Sequence, residues 1–165
     1  MSAPALVTGI GVVAPTGQSL EEHWAATLHG STAIGPLTRF DASAYPVCLA
    51  GEVREFTAAG RVPGRLIPQT DRWTHLALVA AEMALADAGV DPATLPEYEM
   101  GVITASSAGG AEFGQREIQA LWRHGPRHVG AYQSIAWFYA ASTGQLSIRY
   151  GMRGPCGVVV AEQAG

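Results

Sequence analysis

The sequence predicts an α/β fold with an at least partly parallel sheet. Two observations carry that reading. Apolar, β-branched runs alternate with helical segments along the 165 residues, separated by capping and breaking residues. Hydrophobic residues make up 48% and charged residues 15%, which supplies a sizeable core and argues against disorder.

Residues 5–13 read as a buried strand, apolar and β-branched, interrupted by Gly9 and Gly11. Pro15-Thr16-Gly17 is a turn. Ser19-Leu20-Glu21-Glu22 is a capping box that opens a short helix stopping at Gly30. Residues 31–68 are rich in Gly and Pro, so a surface excursion is expected, with one strand near 47–53. Residues 70–88 give the clearest helix, capped by Thr70 or Asp71 and ended by Gly89. Its apolar positions are Leu76, Val79, Ala80, Met83 and Leu85. Residues 100–106 are a second buried strand.

A helix over 111–124 is closed by Gly125-Pro126. Its polar face carries Glu112, Arg116, Gln119 and Arg123, and its other face Ala111, Gly114, Ile118 and Leu121. Residues 134–150 read as one long helix, apolar on most sides and therefore buried. Gly151, Gly154 and Pro155 break it. Val158-Val159-Val160 is a third buried strand, after which residues 161–165 turn out. A parallel sheet needs both faces covered. The chain, 1–165, is accordingly expected to be the N-terminal part of a longer domain.

Composition narrows the function. The net charge is −4 with no basic stripe, which argues against nucleic acid. No apolar run is long enough for a membrane span and residues 1–5 have no secretory pattern, so a cytoplasmic protein is expected. All ten basic residues are Arg. That excludes a phosphate-loop, Schiff-base or pyridoxal-phosphate Lys from these residues. His124 and His128 are separated by Gly125-Pro126, and no second ligand cluster exists, so no metal site is expected. Cys48 and Cys156 make no disulfide scaffold and read as small core residues. Gly9-Ile10-Gly11-Val12-Val13-Ala14 fits a dinucleotide fingerprint, but Pro15 breaks the helix it should open. A core strand whose backbone is closely approached is the better reading.

The informative stretch runs from Gly154 to Gly165. It is a strand ending in a turn of small residues that can aim Gln163 at the start of a following helix. Here the sequence resembles the β-ketoacyl synthases. Residues 7–17, Asp71-Arg72 opening an Ala- and Leu-rich helix that ends Asp87-Ala88-Gly89, and Arg153-Gly154-Pro155 before an apolar strand are all similar to that family. Counting from Pro155, the place of the family's nucleophilic Cys falls on Gln163. Ala161-Glu162-Gln163, the preceding Val158-Val159-Val160, and Gly109-Gly110 followed by Glu112-Phe113 and Gln115-Arg116-Glu117 resemble the chain-length factors of type II aromatic polyketide synthases.

The resemblance implies a thiolase-like fold, layered α/β/α/β/α in the complete protein. It implies a heterodimer with a ketosynthase α subunit, fed by acyl carrier protein. It implies no directly bound cofactor, the substrate riding on the carrier's phosphopantetheine. Gln163 would be the non-nucleophilic counterpart of the Cys. An alternative is that Gln163 supports decarboxylation of malonyl-acyl carrier protein to prime the synthase. An ordinary soluble α/β domain is the third reading. Ala111, Gly114 and Ile118 match the positions that close the far end of the polyketide tunnel. Gly in a helix costs roughly 0.5–1 kcal/mol relative to Ala, so Gly114 suggests a close approach, by tight helix packing or by substrate. Small residues there imply a comparatively deep tunnel and a product longer than the shortest common aromatic polyketides.

Overall fold

The computed structural model describes residues 4–161. The first helix, α1 (Leu20–Leu28), begins as its cap requires: Ser19 Oγ accepts the Glu22 N–H at 3.2 Å. The Glu22 carboxylate accepts the Gln18 N–H at 2.8 Å, so the returning half of the capping box lands one residue before the cap. Residues 31–68 hold two short strands, where one was expected. β1 (Ile34–Pro36) pairs antiparallel with β2 (Leu49–Gly51), with Gly35 opposite Ala50. Pro36 is tolerated at the end of β1, an edge strand, where its missing N–H is not needed.

The central helix, α2 (Arg72–Ala88), is capped by Asp71, whose Oδ1 accepts the Trp73 N–H at 3.0 Å. Gly89 closes it at φ +63°. Leu78 and Val79 are fully buried and join Val62, Val102, Leu146 and Met152 in the core. The expected strand over 5–13 is not formed. None of its residues pairs in a ladder, the nearest bridge being Ala14–Gly17 just beyond it, and Leu6 is 79% exposed. The segment instead lies on α2. A Cβ on Gly11 would sit 2.7 Å from the Ala84 N, and one on Gly9 2.7 Å from the Ala88 Cβ. Ile10 N–H donates to Asp87 Oδ2 at 2.8 Å. Ala80, Ala84 and Ala88 share one helix face, so two glycines meet a stripe of alanines. The closely approached backbone is therefore real, although no ladder accompanies it.

β3 (Val102–Ser106) and β4 (Cys156–Val160) pair in parallel, from Val102 opposite Cys156 to Ser106 opposite Val160. The crossover contains α3 (Ala111–His124), α4 (Gln133–Ala136) and α5 (Ala141–Tyr150). α5 packs against both strands and against α2. This is the α/β arrangement the sequence predicts. Three expectations need correction. The helix over 134–150 is broken at 137–140, where the Trp137 carbonyl turns out to accept the Gly110 N–H at 3.4 Å. It is not buried all round, since Trp137 is 58% exposed. The strands are only partly buried: Val102 is buried, but Ile103 is 69%, Val159 52% and Val160 50% exposed, because among the described elements α5 is the main one packed against both strands. Cys48 and Cys156 are free and exposed rather than in the core, Cys48 just before β2 and Cys156 at the start of β4 in a two-stranded sheet.

Candidate functional site

The Gly-rich approach to α3 organises the packing of α2, α3 and α4. Gly110 precedes α3 directly and has no side chain to cap it. The donor left open there is taken by Asp71, whose Oδ2 accepts the Phe113 N–H at 2.6 Å. One buried carboxylate thus caps α2 and serves the first turn of α3. A Cβ on Gly110 would meet Asp71 Cβ at 2.9 Å and the Ala136 carbonyl oxygen more closely still. Gly109 lies against the Trp137 carbonyl. The small residues before α3 therefore let α4 and the 137–140 turn dock on it.

Ala111, Gly114 and Ile118 lie on one face of α3, as their spacing requires. Gly114 is buried, whereas Ala111 and Ile118 are exposed. A Cβ on Gly114 would stand 2.8 Å from Trp137 Cδ1 and 3.2 Å from Nε1. The group that approaches Gly114 is thus the Trp137 indole. Sequence reasoning had placed Trp137 inside an unbroken helix; the spacing Gly109-Gly110 to Gly114 was the available signal of a close neighbour. Gln163 lies outside the described residues. The last described residue, Ala161, donates its N–H to the Ser106 carbonyl at 3.3 Å.

An apolar groove of about 490 Å³ runs between α4, α5 and β4, lined by Ile135, Phe138, Ala141, Ile148, Cys156 and Val158 among others. Cys156 Sγ is 3.3 Å from the Gly154 carbonyl. No cationic or imidazole side chain lines this groove among the described residues, so nothing there favours a thiolate.

Two polar networks support the surroundings. Thr70 Oγ1 donates to the Leu66 carbonyl at 2.6 Å, which leaves its lone pairs to accept from His75 Nε2 at 2.9 Å. His75 is buried, and burial pushes its imidazole below its ordinary value; Asp71 opposes that shift and Arg72 adds to it. The Glu52 carboxylate accepts from Thr38 Oγ1 at 2.7 Å and from the Thr38 and Arg39 N–H groups. These bonds hold it below the usual carboxylate range. Sequence reasoning singled out neither residue, because an isolated His or Glu carries no spacing signal. Among the described residues no three His, Cys, Asp or Glu side chains cluster as metal ligands, and no helix is long and apolar enough to cross a membrane.

The sequence profile described as Beta-ketoacyl synthase, N-terminal domain, matches residues 3–165. The chain belongs to the beta-ketoacyl synthase family. This synthase-family chain is 62% identical, over 167 aligned residues, to the tetracenomycin polyketide synthase ketoacyl synthase beta subunit of Streptomyces glaucescens. The alignment covers 100% of this chain and 41% of that protein. It is 56% identical to the actinorhodin polyketide beta-ketoacyl synthase 2 of Streptomyces coelicolor, covering 97% of this chain and 39% of that one. Its fold matches a solved type II polyketide synthase acyl carrier protein in complex with its hexaketide-bound ketosynthase. There the TM-score is 0.77 at 26% identity, covering 92% of this chain and 40% of the other. The thiolase-like ketosynthase fold expected from the sequence is thus the observed one, and the chain spans about 40% of the length of the relatives it matches.

Proposed function

We propose that this synthase-family chain is the N-terminal part of a single ketosynthase-like domain, and that the complete subunit is a chain-length factor. It pairs with a ketosynthase α subunit in the cytoplasm. The partner's Cys carries the growing poly-β-ketoacyl chain and condenses it with malonyl units delivered on the phosphopantetheine of acyl carrier protein. This subunit lends part of the tunnel, with Ala111, Gly114 and Ile118 at its far end. The observation that carries the reading is the 62% identity to a ketoacyl synthase beta subunit across the whole chain. The exposed apolar residues of β3 and β4 give the remainder of such a domain a surface to cover.

The complex is an acyltransferase of the beta-ketoacyl synthase type, and this subunit contributes no nucleophile. A neutral amide cannot accept an acyl group as a thiolate does, so Gln163 is confined to hydrogen bonding. That leaves one second reading, favoured by the amide itself: Gln163 steadies the enolate formed as a malonyl thioester loses carbon dioxide. The test is reconstitution of the complete subunit with a ketosynthase and malonyl-acyl carrier protein. The chain-length reading predicts poly-β-ketone formation only when both subunits are present, at equal rates for wild type and Gln163→Ala. Decarboxylation that persists without the partner's Cys and disappears in Gln163→Ala would favour the second reading.

A further inference from the structure

The approach of Trp137 to Gly114 carries more than a packing role. Trp137 sits on the broken turn between α4 and α5, not inside a helix. Its carbonyl is held by the Gly110 N–H, and Gly109 and Gly110 admit that turn against the start of α3. The backbone that bears the indole is therefore tied to the helix that the indole faces. On the α3 side, Trp137 Cδ1 occupies ordinary side-chain space at position 114, within 2.8 Å of where a Cβ would stand. On its other side the indole is open, with 58% of the residue exposed. Ala111 and Ile118 flank Gly114 along the same face and are open as well. A large ring thus fills the notch that Gly114 leaves, between two exposed positions of the same helix face.

We propose that Trp137 is a specificity-determining residue, the side chain whose placement over Gly114 sets the free volume beside Ala111 and Ile118. This inference rests on the reading of that face as the end of the polyketide tunnel. Gly114 acts through Trp137: it lets the Cδ1–Nε1 edge of the ring sit against α3 and keeps the space clear. A methyl group at 114 cannot coexist with the ring where it is, so the indole must swing away from the helix and into the open volume. Removing the ring leaves the notch empty and enlarges the same volume. The two substitutions oppose each other, and the first depends on the ring being present.

The experiment is a double-mutant cycle in the complete subunit assembled with its ketosynthase, with acyl carrier protein and malonyl units supplied. The main product length is read by mass spectrometry and assembly by size exclusion. Trp137→Ala is expected to lengthen the main product by at least one two-carbon unit, and Trp137→Phe serves where the alanine variant does not assemble. Gly114→Ala is expected to shorten the product in the wild-type background and to have no effect beside Trp137→Ala. An assembled Trp137 variant with unchanged length, or an equal Gly114→Ala effect in both backgrounds, overturns the role of Trp137. In that case shortening by Gly114→Phe in the assembled complex still upholds the tunnel reading. If Gly114→Phe also leaves the length unchanged, the tunnel reading fails together with the inference.

Discussion

Asp71 Oδ2 accepts the Phe113 backbone N–H at 2.6 Å, joining the first turns of α2 and α3 across 42 residues of sequence. The same side chain caps α2 through the Trp73 N–H. Replacing it with Ala removes one cap and strands a buried donor. Asp71→Ala should cost about 1–3 kcal/mol, read as a drop in the unfolding midpoint of the purified complete subunit. Asp71→Asn, which keeps an acceptor oxygen for one of the two donors, should cost less. Equal stability of the alanine variant and wild type would show that the bridge is dispensable.

The glycines that cross α2 predict a second asymmetry. Gly11→Ala forces a methyl group onto the backbone at Ala80 and Ala84, which cannot move without distorting α2. A loss of about 1–3 kcal/mol is expected. Gly144 lies within α5 with nothing inside 4 Å of its virtual Cβ. Gly144→Ala should therefore gain about 0.5–1 kcal/mol through helix propensity. Paired denaturant titrations check both signs.

Acid sensitivity follows from His75. Burial first, and Arg72 with Arg116 further, disfavour its imidazolium; Asp71 and Glu112 pull the other way without reversing the shift. The folded state then takes up its proton at lower pH than the unfolded chain, whose His titrates near 6.5. The stability tied to neutral His75 is complete above that value and is lost as pH falls toward the folded one. Stability should fall as pH drops below about 6.5, and His75→Gln should flatten that limb. The drop belonging to Glu52, whose folded-state titration lies below its ordinary 4.5, should remain at more acid pH.

The exposed apolar surface makes a prediction about the 165-residue chain on its own. Ile103, Ile148, Val159 and Val160 are all at least half exposed, and the two-stranded sheet has open edges. Such a chain should self-associate at micromolar concentration rather than melt cooperatively as a monomer. Analytical ultracentrifugation that found a stable monomer would contradict this.

These outcomes also mark what was legible in the sequence. The boundaries of α1, α2 and α3 follow from Ser19, Asp71, Gly89 and Gly125, because caps and breakers act within a few residues. The parallel β3–β4 pair follows from two β-branched runs with helices between them. Residues 5–13 looked like a strand because apolar, β-branched runs look alike whether they pair or lie on a helix. Only the alanine stripe of α2, distant in sequence, decides the matter. The break at 137–140 was illegible for the same reason, since no Gly or Pro marks it and the cause is Gly110. At the candidate site, the spacing of Ala111, Gly114 and Ile118 was readable and the neighbour of Gly114 was not. Cys156 was misjudged because a strand in a two-stranded sheet leaves exposed what a wider sheet covers.

The central claim is that this subunit shapes a tunnel without carrying the chain. Intact-mass analysis of the complex after incubation with a labelled acyl thioester addresses it most directly. The account predicts one acyl group on the ketosynthase partner and none on this subunit, whose exposed Cys156 has no activating cation or imidazole among the residues of its groove. Stoichiometric label on this subunit, at Cys156 or elsewhere, would contradict it.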